Sequence, residues 1–159
     1  MIMEPRGKPD SVEIEGIVDI GRKPAVARRA VAEGWVTLRP ETLAAIVAGG
    51  VPKGDVREAS TIAAIQAVKE TPRLIPHCHP VPIESCKVRW HVEGDRLGCE
   101  VEVGAHYRTG IEMEALAGVS AGLLCAFDMV KSMEKDEAGQ YPVARIDGLR
   151  VVEKHKANP

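Results

Sequence analysis

The chain has 159 residues, 21 Lys+Arg against 23 Asp+Glu and a formal net charge of −2. The length suits one domain with its own core, and the balanced charge excludes a general nucleic-acid binder, which would carry a basic bias. No apolar run approaches the roughly 18 residues of a membrane span, and "MIMEPRGKPD" is no signal segment, so a cytoplasmic protein with no membrane partner is expected.

Residues 1–13 read as a loose arm broken by Pro5, Gly7 and Pro9, and 14–159 as a single domain. "PAVARRAVAEG" predicts a short helix with Pro24 in its first turn and Gly34 just past its end, and "WVTL" a brief strand. "RPETLAAIVAGG" predicts a second helix, with Leu43, Ile46 and Val47 on one face and Gly49–Gly50 as its stop. "VPKGDVREASTIAAIQAVKETP" predicts a third, opened by Asp55 with Glu58 as a capping box and closed by Pro72.

"CKVRWHVEGDRLGCEVEVGAHY" alternates apolar and polar residues on both sides of "EGDRLG" and predicts a hairpin with one wet face. A turn near Asp95–Arg96 sets Cys99 opposite residue 91 or 92, so Cys86 and Cys99 are not cross-strand partners, and all four cysteines are expected as free thiols. The longest helix is predicted over 111–134 and a last strand in "VARIDGLRVVEK". Helices mixed with an antiparallel hairpin, and no GxGxxG after a strand, point to an α+β fold with helices on one face of an antiparallel sheet.

Four stretches carry candidate chemistry. In the long helix, Glu114, Ala117, Ala121, Leu124, Asp128 and Lys131 fall on one stripe. A solvated Asp128–Lys131 ion pair is the plain reading, but a buried middle to the stripe implies half-buried ends with movable pKa values, suited to acid–base work. "AGVSAG" places Gly118 and Gly122 four apart, for a tight contact inside the chain or a helix at a subunit interface. Lys53 of "KGD" precedes a helix N-terminus, a weak phosphate site because Asp55 caps the same end.

The remaining two stretches concern the loop "LIPHCHPVP" and the segment "RTGIEMEAL". His77, Cys78 and His79 offer a zinc site, a nucleophile, a rigid loop with one buried histidine, or a ligand wall held by Pro76, Pro80 and Pro82. Zinc is disfavoured because side chains at i and i+2 of an extended chain point opposite to the one between. Arg108, Glu112 and Glu114 surround a helix start, where carboxylates suit the dipole or bind an amidine-like edge such as guanine's.

"KGDV", "LIP-x-CHP", "RTGIEMEAL" and "DMVKS", in this order and spacing, resemble the molybdenum cofactor biosynthesis protein C family, the cyclic pyranopterin monophosphate synthases. The likeness runs from Val18 to Lys135. It implies a ferredoxin-like fold and a homo-hexamer, a trimer of dimers with pockets between subunits. It also implies conversion of 3′,8-cyclo-7,8-dihydroguanosine 5′-triphosphate to cyclic pyranopterin monophosphate with release of diphosphate. No cofactor or metal is implied. The matching positions assign Asp128 and Lys131 as the acid–base centre, with Lys53 and His79 catalytic beside them. His77, Cys78, His79, Arg108, Glu112, Met113 and Glu114 line the substrate pocket. Two departures stand out: His77 occupies a place the family keeps apolar, and the tail is "HKANP", in which Lys154 matches the family's first tail lysine and Lys156 stands for the second. A zinc-dependent hydrolase built on His77, Cys78 and His79, and a non-catalytic nucleotide-binding regulator, are the competing readings.

Overall fold

The segment expected to form the first helix is a strand. The computed structural model describes residues 10–159, so most of the expected N-terminal arm lies outside the described residues. Strand β1 runs Val26–Thr37, absorbing both "AVARRAVAEG" and "WVTL". It lies inside the sheet, antiparallel to β3 (Arg96–Tyr107) on one side and to β4 (Arg145–Lys156) on the other, and β2 (Ser85–Glu93) closes the order β2-β3-β1-β4. Alanine prefers helix, but the spread in propensity is only about 0.7 kcal/mol per ordinary residue, and ladders on both edges outweigh it.

Between β1 and β2 come α1 (Pro40–Ala48), α2 (Val56–Lys69) and the short α3 (Thr71–Leu74); between β3 and β4 comes α4 (Glu112–Glu134). The resulting β-α-β-β-α-β order with an all-antiparallel sheet is the ferredoxin-like arrangement. Asp55 caps α2 as expected, its side chain accepting from the Glu58 N–H, whereas Pro72 sits in the first turn of α3 rather than ending α2. The hairpin is in register one residue from expectation: Cys99 faces Trp90, and Cys86 faces Val103. All four cysteines are free.

One face of the sheet holds the core. Ala30, Ala32 and Val36 of β1, with Leu97, Cys99, Val101 and Val103 of β3, pack with Ala115, Val119, Leu123, Ala126 and Val130 of α4. Gly34 lets α4 approach β1, since a β-carbon there would lie 2.9 Å from both Val119 and Leu123. The Trp90 indole N–H donates to Thr61 Oγ1 at 2.8 Å and ties β2 to α2. The opposite face is charged, with Arg29 bound to Glu102 and Glu153, and Arg89 to Glu100 and Glu102. Burying a Val or Leu side chain is worth about 1.5–3 kcal/mol and an exposed ion pair at most about 1, so the helix face supplies most of the cohesion.

Gly118 and Gly122 are both buried, against Val68, Ala64 and Val101 and against Trp90, Ala64 and Cys99 respectively. The small-residue motif therefore serves contacts of α4 with α2 and the sheet inside the chain. Helix α4 also has the length and hydropathy of a membrane span, correcting the expectation that nothing comes near one, but 56% of that stretch is buried within the fold. Its last residue, Glu134, is fully buried and accepts from the Arg39 N–H at 3.1 Å and from the Thr42 hydroxyl, which closes the N-terminus of α1.

Candidate active site

The fold delivers the candidate residues to the two ends of α4. At its N-terminal end is a cavity of about 630 Å³, within the size range of small-molecule sites. The loop between α3 and β2 contributes His77, Cys78 and His79, and the approach to α4 contributes Arg108. The first turn of α4 adds Glu112, Met113 and Glu114, and the end of β4 adds Lys154 and Lys156. Every position assigned above to substrate contact lines this one cavity. The sequence reading missed Lys23, Pro24 and Arg28, together with Val18 and Ile20, which line it as well. Arg28 stands directly opposite Lys156 across the β1–β4 ladder, a pairing hidden once the segment is read as a helix.

The two carboxylates at the helix start have different environments. Glu114 is 4% exposed. Burial pushes its carboxyl above the ordinary range, aided by the charge of Glu112 and opposed by its own backbone N–H. Glu112 is pushed up by burial too, but the ion pair from Lys154, its backbone N–H and the charge of Arg28 hold it below the ordinary value. Gly110 leaves the room that the Glu112 carboxylate occupies, since a β-carbon there would strike it. Burial and then the charge of Glu114 raise the Cys78 thiol, a direction that disfavours the thiolate. His77 Nδ1 donates to the Gly16 carbonyl and His79 Nε2 to the Val18 carbonyl at 2.7 Å. Among the described residues no three His, Cys, Asp or Glu side chains are grouped to hold a metal ion.

At the far end of α4, Lys131 Nζ lies 2.9 Å from Asp128 Oδ1 and Lys53 Nζ 2.9 Å from Asp128 Oδ2. Lys53 also donates to the Asp128 carbonyl at 3.2 Å. Within the chain Lys53 therefore belongs with Asp128 and Lys131 and not with His79. The expected half-burial of this end is not seen: of the apolar middle of the stripe Ala117 is buried and Ala121 partly so, but Leu124 is 61% exposed, and the Asp128 side chain is 55% exposed. The hydrogen bond from Lys131, then that from Lys53, lowers the Asp128 carboxyl to about 2, and Asp128 in turn raises Lys131. Two lysine side chains thus flank one carboxylate in the single chain.

The protein is a ferredoxin-like α+β fold with a cation-lined cavity, two carboxylates inside it and a Lys–Asp–Lys cluster at the other end of the same helix. The chain belongs to the MoaC family, whose sequence profile matches residues 17–157. It is 54% identical over 141 residues to a protein of Methanoregula boonei, covering 88% of this chain and 90% of that one. It is 52% identical over 141 residues to one of Aeropyrum pernix, covering 89% and 97%. It is 51% identical over 140 residues to one of Thermococcus kodakarensis, covering 88% and 90%. Each of these relatives is named a probable cyclic pyranopterin monophosphate synthase.

Proposed function

We propose that this chain is a cyclic pyranopterin monophosphate synthase, a lyase of molybdenum cofactor biosynthesis that acts on a cyclised GTP derivative. The observation that carries the reading is the convergence of Arg28, Arg108, Lys156, Glu112 and Glu114 on one cavity, in a chain about half identical to proteins so named. Cations suit the triphosphate, and a buried carboxyl beside them suits the amidine edge of a purine. The reaction rebuilds the ring system by proton transfers; a ribose hydroxyl then attacks the α-phosphorus and diphosphate leaves. Lys53 and Lys131 suit the leaving charge, and Asp128 with Lys131 suits the proton transfers.

The two ends of α4 lie too far apart for one chain to close both on a single nucleotide. The Asp128 side chain is also largely open to water in the single chain. Both points favour a homo-oligomer, a hexamer in the full form of this reading, in which the cavity of one copy faces the Lys53–Asp128–Lys131 cluster of another. A cytoplasmic location goes with this reading. The test is incubation of the purified chain with 3′,8-cyclo-7,8-dihydroguanosine 5′-triphosphate. Product and diphosphate should appear in equal amounts, whereas a nucleotide-binding regulator releases neither.

A further inference from the structure

Residues 16–21 lie against the cavity, and Val18 and Ile20 form part of its wall. Three cavity side chains hold this segment by its main chain. His77 Nδ1 donates to the Gly16 carbonyl, His79 Nε2 to the Val18 carbonyl at 2.7 Å, and Arg108 Nη1 to the Gly21 carbonyl at 3.5 Å. The turn at Gly21–Arg22 that ends the segment has its own support: Asp19 Oδ1 accepts from the Gly21 N–H at 2.8 Å, and the Ile20 carbonyl from the Lys23 N–H at 3.1 Å. Asp19 itself does not line the cavity.

A carbonyl oxygen only accepts, so each ring nitrogen that meets one carries hydrogen. The neutral His79 ring is therefore the Nε2–H tautomer with its lone pair on Nδ1. A lone pair repels phosphate oxygen and meets an N–H or O–H donor. Arg108 uses one of its N–H groups on Gly21 and keeps the rest of its fork for an anion.

We propose that residues 16–21 form a positioning strap whose carbonyls fix the His79 tautomer and the Arg108 guanidinium, with Asp19 as the positioning residue that holds the strap into its closing turn at Gly21. Resting on the synthase reading, this assigns His79 to a donor on the heterocycle or ribose of the substrate and Arg108 to its phosphates.

Ring nitrogen-15 NMR of the ligand-free protein reads the tautomer without substrate, so the strap is tested even where the synthase reading fails. Nε2–H is expected at His79, and the Nδ1–H tautomer overturns the proposal. Asp19→Ala, checked for fold by circular dichroism, should shift His79 towards mixed tautomers. It should raise KM about tenfold, the scale of one lost orienting hydrogen bond, with kcat within about twofold. Asp19→Asn keeps an oxygen for the Gly21 N–H and should restore both readouts. An Asp19→Ala protein with the wild-type tautomer and KM, or an Asp19→Asn protein as impaired as Asp19→Ala, overturns the assignment.

Discussion

Lys53 and Asp128, 75 residues apart in the chain, meet with Nζ 2.9 Å from Oδ2, while Lys131 holds the other carboxylate oxygen of the same residue. The loop before α2 thus places its lysine on the last turns of α4, and one carboxylate sits between two ammonium groups.

Replacing Asp128 by Asn removes the charge without changing shape. Because the side chain is exposed, the fold should be unchanged by circular dichroism. Turnover should fall by at least about a hundredfold, the lower range for a positioned acid–base group. Diphosphate release near the wild-type rate would remove Asp128 from the reaction.

The carboxyl of Asp128 should titrate near 2 by carbon-13 NMR, below its ordinary 3.8. Lys131→Ala should bring it back further than Lys53→Ala, since the Lys131 bond is the larger cause. A depressed carboxylate stabilises the folded state above the unfolded pKa, and that contribution is lost as pH falls through the folded value. Wild type should therefore be more stable than Asp128→Asn above about pH 4, and the difference should vanish as pH falls to about 2. A wild-type carboxyl titrating at its ordinary value would show that the triad does not persist in solution.

Glu114 and Asp128 stand on the same helix, roughly 21 Å apart along its axis at about 1.5 Å per residue. Glu114→Ala and Asp128→Ala, each inactive alone, should regain activity when refolded together, because a site shared between copies yields some pockets with both native halves. Subunit exchange proved by mass spectrometry, with activity still absent, would place the whole site in one chain.

The two glycines of α4 should respond differently to alanine. At Gly118 the new β-carbon would sit 2.7 Å from Val68 Cγ2 and 3.1 Å from Val101 Cγ1, so overpacking of about 1–3 kcal/mol is expected. At Gly122 the nearest atoms are 3.3 and 3.4 Å away, and the helix-propensity gain of about 1 kcal/mol offsets the crowding. Urea midpoints compare the two. A Gly118→Ala protein as stable as wild type would contradict the close contact of α4 with α2.

The helices α1, α2 and α4 and the β2–β3 hairpin were legible because each shows its own period or cap, as at Asp55 and along Val88, Trp90 and Val92. Strand β1 was not, since "AVARRAVA" carries a local helix preference that only its two neighbouring strands override. Arg28 went missing with it. The cavity residues from His77 to Glu114 were found through joint motif resemblance, because no single spacing among them specifies a pocket. The partners of His77 and His79 are main-chain carbonyls, which leave no side-chain signature in the sequence. The stripe from Glu114 to Lys131 is legible from its spacing, but its apolar middle is buried at Ala117 and only partly at Ala121, and the fold of one chain leaves Leu124 in water.

The ladder that sets Arg28 opposite Lys156 joins positions near the two ends of the described chain. A contact so distant in sequence forms only after a very long loop has closed, which makes it among the slowest to assemble. On the ribosome, α4 and the hairpin can gather while the cavity still lacks Lys154 and Lys156, because β4 emerges after them. Nascent chains and truncated products would therefore lack part of the cavity's cationic lining, which would be complete only with the finished sheet.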